Sequence, residues 1–296
     1  MPKKENLPQV PEIDLNNISN VGAGPVEKMK IENTNTVLQR KTKGRFNFTE
    51  PEEVLLPSGG FLYNGSTTDE NVLKGKILLY PMTAREEEIL STQRFVKDGT
   101  VTRRVLDRCI VSDIDAKDIL VYDSNYLLFF LRQISYGDDY NFELKCQNEY
   151  CEKKFEHIVK ISELNFKELN EDFDEPIEIK LPRSNYTVNL VLPRLYHSEI
   201  MADLAKKRKT NFNEGNKETI DKYVATTVSI LDNKNKEISR KYWEEFYESL
   251  PGIDIAEIRK KSNFSSGVDE LNNVICPYCG SDYSGTIPID INFFRF

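Results

Sequence analysis

Residues 126–151 read YLLFFLRQISYGDDYNFELKCQNEYC, and this stretch forms the centre of the predicted fold. Its first nine residues are apolar on almost every side of a helix, which is typical of a helix buried in the middle of a domain. Asp123 lies just upstream as a predicted N-cap, and Gly137 stands where the helix should end. We therefore expect a core helix from about Asp123 to Gly137.

The second half of this stretch predicts a β-hairpin that carries two cysteines. Residues 140–145 alternate between apolar and polar side chains, and residues 155–160 alternate again, as strands with one buried face do. Cys146 and Cys151 fall between the two predicted strands. We expect the pair at the tip of the hairpin, where a zinc knuckle would lie.

A second pair of cysteines lies about 125 residues further along the chain. Cys276 and Cys279 belong to the run CPYCG, in which a knuckle is followed by the glycine that such a turn needs, and a strand is expected after it. Structural zinc takes four ligands in a tetrahedron, and closely spaced cysteine pairs are typical of it. The two pairs predict one structural Zn2+ site with four ligands: Cys146, Cys151, Cys276 and Cys279.

The cysteines also allow other chemistry. The run CPYC resembles a glutaredoxin core, and a thioredoxin-like pair at Cys276 and Cys279 would make the chain a redox enzyme. That fold needs a βαβ unit, and too little sequence remains after the pair to build one. Disulfides are the other alternative, although four of five cysteines in close pairs favour metal in a reducing compartment. Cys109, the fifth, lies on the apolar face of a predicted helix and is expected in the core.

The sequence predicts no catalytic site. Catalytic zinc keeps one position open for water, whereas four cysteines would close the site. The two histidines, His157 and His197, have no partner at nucleophile or metal spacing. His157 lies near the first knuckle, where it could replace a cysteine, but a solvent-facing position on a strand is favoured. The sequence also lacks a phosphate-binding glycine loop and a nucleophile elbow. We expect a protein that is not an enzyme.

The long gap between the cysteine pairs predicts an insertion. Its expected strands are 177–181 and 186–192, and its expected helices are 198–208, 219–231, 239–249 and 254–261. The polar composition before residue 48 predicts a flexible arm. The predicted fold class is α+β, a mixed core with a helical insertion and a four-cysteine zinc-ribbon-like module. Its predicted parts are the arm 1–47, the core 48–151 with the first knuckle, the insertion 152–270, and the second knuckle with a C-terminal strand, 271–296.

Charge and hydropathy bear on the partners. The formal net charge is −8, so the overall field repels nucleic acid and anionic membrane surfaces. The longest uncharged apolar stretch is far too short to cross a bilayer, and no apolar segment follows the basic start as in a secretory signal. We expect no nucleic-acid partner, no membrane span and a cytoplasmic chain.

Three motifs in the first half of the chain resemble one known family. Residues 56–63 read LPSGGFLY, similar to the LPS-x-G-x-x-Y opening of the baseplate hub assembly proteins of T4-like tailed bacteriophages. The run PMT at 81–83, followed by EEIL at 87–90, is similar to that family's P-M-T-x-x-E-E-x-L element. Residues 131–140 read LRQISYGDDY and resemble its L-R-x-x-S-Y-G-x-x-Y stretch.

The resemblance implies a protein that helps to build the central hub of the tail baseplate, or becomes part of it. It implies other hub or tail proteins as partners, assembly in the host cytoplasm and a possible place in the virion tail baseplate, without catalysis. The alternative function is a zinc-ribbon regulator that binds nucleic acid, which an acidic chain without a basic aromatic face disfavours. The oligomeric state is left open.

Overall fold

The computed structural model describes residues 49–208, 217–262, 271–285, 287 and 291–294. The first sheet begins near the start of this part of the chain. The predicted arm, residues 1–47, lies outside it. Strand β1 (Glu52–Leu55) pairs antiparallel with β2 (Lys76–Leu79), and a 3-10 turn (Phe61–Tyr63) and a short helix (Glu70–Leu73) lie between them.

Short helices follow β2 and pack around the centre of the fold. The first is opened by a capping box, in which the backbone N–H of Thr83 donates to Glu86 Oε2 at 2.8 Å. The last of them buries Val105, Leu106 and Cys109 on one face, so the predicted core position of Cys109 is confirmed. Their bounds are Ala84–Ser91, Gln93–Lys97 and Val101–Cys109, and a 3-10 turn at Ala116–Asp118 follows.

The core helix spans Val121–Tyr136 and ends at Gly137, as predicted. Gly137 adopts a φ of 96°, a conformation that only glycine takes without strain. The predicted N-cap is wrong, since the cap position is Leu120 and Asp123 lies inside the first turn, fully buried. Asp123 is placed there because its carboxylate accepts hydrogen bonds from the loop after β1 rather than from its own helix.

The predicted hairpin follows the core helix. Strands β3 (Asp139–Lys145) and β4 (Lys154–Lys160) pair antiparallel over seven residues each, in a register that sets Asp139 opposite Lys160 and Lys145 opposite Lys154. The hairpin packs one face towards the core helix and places both cysteines of the first pair at its far end.

The insertion contains a three-stranded antiparallel sheet in the order β5–β6–β7, with helices around it. The strands are β5 (Ile177–Lys180), β6 (Thr187–Leu190) and β7 (Thr227–Leu231). The helices are Leu195–Arg208, Glu218–Thr226, Trp243–Ser249 and Gly252–Ser262, with 3-10 turns at Ile161–Glu163 and Arg240–Tyr242.

The predicted helix 219–231 is correct only in its first part. The helix ends at Thr226, and the remaining residues form β7. Val228 is 49% exposed, whereas Ile230 is fully buried, as the alternation of a strand requires. Residues 226–231 read TTVSIL, and β-branched side chains favour a strand where the edge of β6 is open for pairing.

The last described strands, β8 (Leu271–Ile275) and β9 (Asp282–Gly285), form a hairpin of their own. The strand expected after the CPYCG run is thus confirmed at β9. A 3-10 turn at Ile291–Phe294 follows, and it buries Phe293 and Phe294 against the core helix and β3. The observed class is α+β with small sheets, as predicted, whereas the division at residues 151 and 270 stays a prediction.

Candidate metal centre

The first knuckle is the tip of the β3–β4 hairpin. The backbone N–H of Cys146 donates to the carbonyl of Lys153 at 2.9 Å, and that of Cys151 donates to Asn148 at 2.9 Å. Glu152, the residue after the second cysteine, has a φ of 46°, so the chain turns through a left-handed conformation as it leaves the knuckle. These contacts hold both thiols on the inner side of the turn.

The second knuckle repeats this geometry between β8 and β9. The backbone N–H of Cys276 donates to the carbonyl of Ser281 at 2.9 Å, and that of Gly280 donates to Cys276 at 2.9 Å. Gly280 has a φ of 72° and follows the second cysteine, just as Glu152 does in the first knuckle. The glycine in the sequence run therefore has the turn role that was expected of it.

The two knuckles bring their four sulfur atoms together. Cys146 Sγ lies 3.6 Å from Cys279 Sγ, Cys151 Sγ lies 3.9 Å from Cys276 Sγ, and all four lie within 4.8 Å of one another. Four thiolates bound at about 2.3 Å around a tetrahedral zinc would be spaced about 3.8 Å apart. A disulfide needs about 2.05 Å between its sulfurs, so the spacing matches a shared metal and not a covalent pair.

The inner side of the cluster is buried, and its outer side is exposed to solvent. Cys146 and Cys276 are 2% and 1% exposed and pack with Phe155 and Val274, whereas Cys279 is exposed. Metal binding requires thiolates. Hydrogen bonding from Ser281 lowers the pKa of Cys279 to about 6, whereas the pKa values of Cys146 and Cys151 are raised, because burial and the neighbouring thiols outweigh the backbone hydrogen bonds that lower them. A closed set of four soft donors leaves no position for a substrate, so this arrangement suits a structural ion.

Two polar residues that the sequence did not single out join the knuckles. Asn148 Nδ2 donates to Ser281 Oγ at 2.9 Å, across the two halves of the cluster, and Ser281 Oγ lies 3.4 Å from Cys279 Sγ. Such outer contacts orient metal ligands. The signal that could have revealed them is their position, since each lies two residues from a cysteine inside a turn.

Neither histidine joins the cluster. His157 is half-buried on β4, with its ring 5.8 Å from that of Phe142, so the predicted solvent-facing position is only partly right. His197 is buried and accepts a hydrogen bond at Nδ1 from the backbone of Arg194, and burial lowers its pKa to about 4.

The redox alternative is not supported by the backbone around Cys276. That cysteine follows strand β8 and is succeeded by a turn and β9, whereas a thioredoxin-like cysteine lies at the N-terminus of a helix. Cys109 lies apart from the cluster in the core, where burial raises the pKa of its thiol well above the usual value.

The fold and the site define a class, an α+β protein whose notable feature is a closed cluster of four thiols. Within the part of the chain that the structure describes, it is the single group of three or more side chains that could hold a metal ion. Among the same residues, no helix has both the length and the apolar character needed to cross a bilayer.

Comparison with known proteins gives the family. The sequence model of the family described as T4 bacteriophage base plate protein matches residues 63–295, most of the chain. This chain belongs to that family, which places it among the proteins of the phage baseplate and makes other tail proteins its partners. Searches of curated proteins and of solved structures found no match.

Proposed function

We propose that this chain is a structural or assembly component of the baseplate hub, and that it acts through contacts with other hub proteins. The observation that supports a scaffold role is that the family-like motifs contact the core helix and one another. Ser58 and Tyr63 of the first motif bind Asp123 at the start of the core helix. Met82 of the second motif donates its backbone N–H to Ser135 Oγ of the third at 2.9 Å.

A second contact joins the same motifs. Tyr136 Oη donates to Glu87 at 2.5 Å, and Ser135 Oγ donates in turn to the carbonyl of Leu131 at 2.6 Å. Because these side chains are used in holding the fold together, the motifs leave few polar groups for catalysis. Function is then expected at the surface, in protein–protein contacts, with the hub as the location that the motif resemblance favours.

The four cysteines hold a structural Zn2+ in this proposal. Their sulfur spacing and their closed arrangement support zinc, and the ion would join the hairpin at the end of the core to the C-terminal hairpin. Elemental mass spectrometry on protein purified without chelator is expected to give one zinc per chain. Cys146→Ser and Cys276→Ser should each lose it, although they lie in different knuckles, and Cys109→Ala is the matched control that keeps it.

The hub assignment is tested on assembling phage tails. Hub and wedge subassemblies, separated from lysates of the phage that encodes this chain, are analysed by quantitative mass spectrometry. Enrichment of the chain with the hub subassembly supports the proposal, whether or not it persists in finished virions. Enrichment with the peripheral wedges would contradict the hub assignment and leave the family membership intact.

A further inference from the structure

One face of β3 contacts the C-terminal part of the chain at two places. Side chains two residues apart in a strand point to the same face. Tyr140 and Phe142 belong to an aromatic cluster that includes Phe293, and Cys146 belongs to the cysteine cluster. Leu144 lies between them and packs against both clusters. The metal site and the aromatic cluster are therefore joined through a single strand.

The described contacts of the C-terminal hairpin with the rest of the fold are concentrated around its knuckle. Among the described residues, β8 and β9 pair with each other and with no other strand. Apart from the cysteines, the described contacts of its side chains are Val274 beside Phe155, the bond between Asn148 and Ser281, and Lys153 Nζ, which lies 4.8 Å from the centre of the Tyr278 ring. The cysteine cluster is thus the main point at which this hairpin can be fixed.

The segment beyond the hairpin covers apolar surface. Phe293 is fully buried, and its ring centroid lies 4.9 Å from that of Phe129 on the core helix and 4.9 Å from that of Tyr140 on β3. Phe294 is 3% exposed and packs edge-on against Phe293. Burial of two phenylalanines favours docking, but it must offset the entropy lost when the whole hairpin is ordered.

We propose that metal binding at the four cysteines controls whether Phe293 and Phe294 cover the aromatic face of the core helix and β3. This inference rests on the proposed zinc site. With the ion bound, both knuckles are fixed and the C-terminal segment is held within short reach of its docking site. Without the ion the segment is released, and Phe129 and Tyr140 become an exposed apolar surface.

Hydrogen exchange on the full-length chain tests the release. After zinc is removed with a chelator, amides in residues 121–145 and 291–294 should exchange at least about tenfold faster. Trp243, the chain's single tryptophan, is buried in a separate cluster in the insertion, so its unchanged fluorescence reports that the insertion stays folded. Faster exchange confined to the knuckles, with residues 121–145 unaffected, would overturn the coupling.

Reciprocity gives a second test that does not remove the ion. Because coupling between two events is mutual, Phe293→Ala with Phe294→Ala should weaken zinc binding by about tenfold or more in competition with a chromogenic chelator. Ile158→Ala is the matched control, since Ile158 is 62% exposed on β4. Equal zinc affinity in the double variant and the wild type overturns the coupling alone. A wild-type chain that binds no zinc overturns the proposed site and the coupling together.

Discussion

Asp123 is a buried carboxylate with hydrogen-bond donors on both oxygens. The backbone N–H of Ser58 donates to Oδ1 at 3.0 Å, while the hydroxyls of Ser58 and Tyr63 donate to Oδ2 at 2.5 and 2.6 Å. Tyr63 Oη already accepts a bond from the backbone of Leu120, so its own proton points at Asp123. One carboxylate thus fixes the loop after β1 to the start of the core helix.

The stability contributed by Asp123 should depend on pH. Burial raises its pKa to about 6, against hydrogen bonds from Ser58 and Tyr63 that lower it. An unfolded aspartate has a pKa near 3.9, so between about pH 6 and 4 the folded chain binds a proton at Asp123 that the unfolded chain does not bind. This proton stabilises the folded state, and its stabilising effect is lost as the pH rises through 6. The advantage of wild type over Asp123→Asn in free energy of unfolding should grow by up to roughly 3 kcal/mol as the pH falls from 7 to 4.

Denaturant titrations of both chains at each pH measure that advantage. Asp138→Asn is the matched control, because hydrogen bonding from Ser162 lowers the pKa of Asp138. The difference in free energy of unfolding between wild type and Asp138→Asn should decrease as the pH falls, and only below about pH 4. An advantage over Asp123→Asn that stays constant with pH would show that Asp123 titrates normally.

Gly60 is a position where no other residue fits. It has a φ of 81°, and a Cβ built on it would lie 2.1 Å from the carbonyl oxygen of Val72 and 2.4 Å from the nitrogen of Gly75. Gly60→Ala should lower the free energy of unfolding by about 3 kcal/mol or more, from steric overlap and left-handed strain. Gly65→Ala, with no atom within 4 Å of its Cβ, should stay within about 0.5 kcal/mol of wild type in the same titration.

The core helix is the element on which the other parts converge, and Arg132 secures its C-terminal end. Nη1 donates to the carbonyl of Gly137 at 3.0 Å, and Nη2 donates to that of Asp139 at 3.2 Å. The guanidinium also lies 5.3 Å from the ring of Tyr136 and 5.7 Å from that of Tyr140. This planar group therefore joins the helix to the first residues of β3.

Arg132→Lys should destabilise the chain despite keeping the charge. A single ammonium cannot reach both carbonyls in the fork geometry, so a loss of about 1–3 kcal/mol is expected in thermal or denaturant unfolding. Tyr136→Phe removes one hydroxyl bonded to the exposed Glu87 and should cost under about 1 kcal/mol. Equal stability of Arg132→Lys and wild type would mean that the fork is dispensable.

Periodicity predicted most of the elements, and tertiary contacts account for the errors. The core helix, the β3–β4 hairpin and strands β5 and β6 follow from alternation and helical spacing. Residues 227–231 fit both periods, and the open edge of β6 decided in favour of a strand. The role of Asp123 depends on Ser58, 65 residues away, which no local pattern can show.

At the scale of the whole molecule, the cysteine cluster joins two hairpins that are far apart in the chain. Cys279→Ser should lose zinc and stability together, by several kcal/mol, because binding to a folded-state site adds directly to folding free energy. Melting followed by calorimetry, with zinc content measured on the same sample, checks this. Tyr150→Ala, beside Cys151 and 98% exposed, is the control that should keep both.

The meeting of the four cysteines could be predicted from the sequence. The spacing within each cysteine pair predicted the knuckles, and the count of four predicted their meeting, which the sulfur distances now bear out. The polar side chains that bridge the two knuckles could not be predicted in the same way. Asn148 and Ser281 form a hydrogen bond because the two turns face each other in the folded chain. No local sequence pattern shows which turns will lie opposite each other.

The separation of the two halves of the cluster has a consequence for synthesis on the ribosome. Cys276 is 125 residues downstream of Cys151, its near neighbour in space. At roughly 5–20 residues per second, the nascent chain carries a two-cysteine half-site for about 6–25 s before its complement emerges. During that interval the first thiols are open to oxidation or to other metal ions. With the proposed zinc site, yield in infected cells should depend on how reducing and how zinc-replete the host is while translation proceeds.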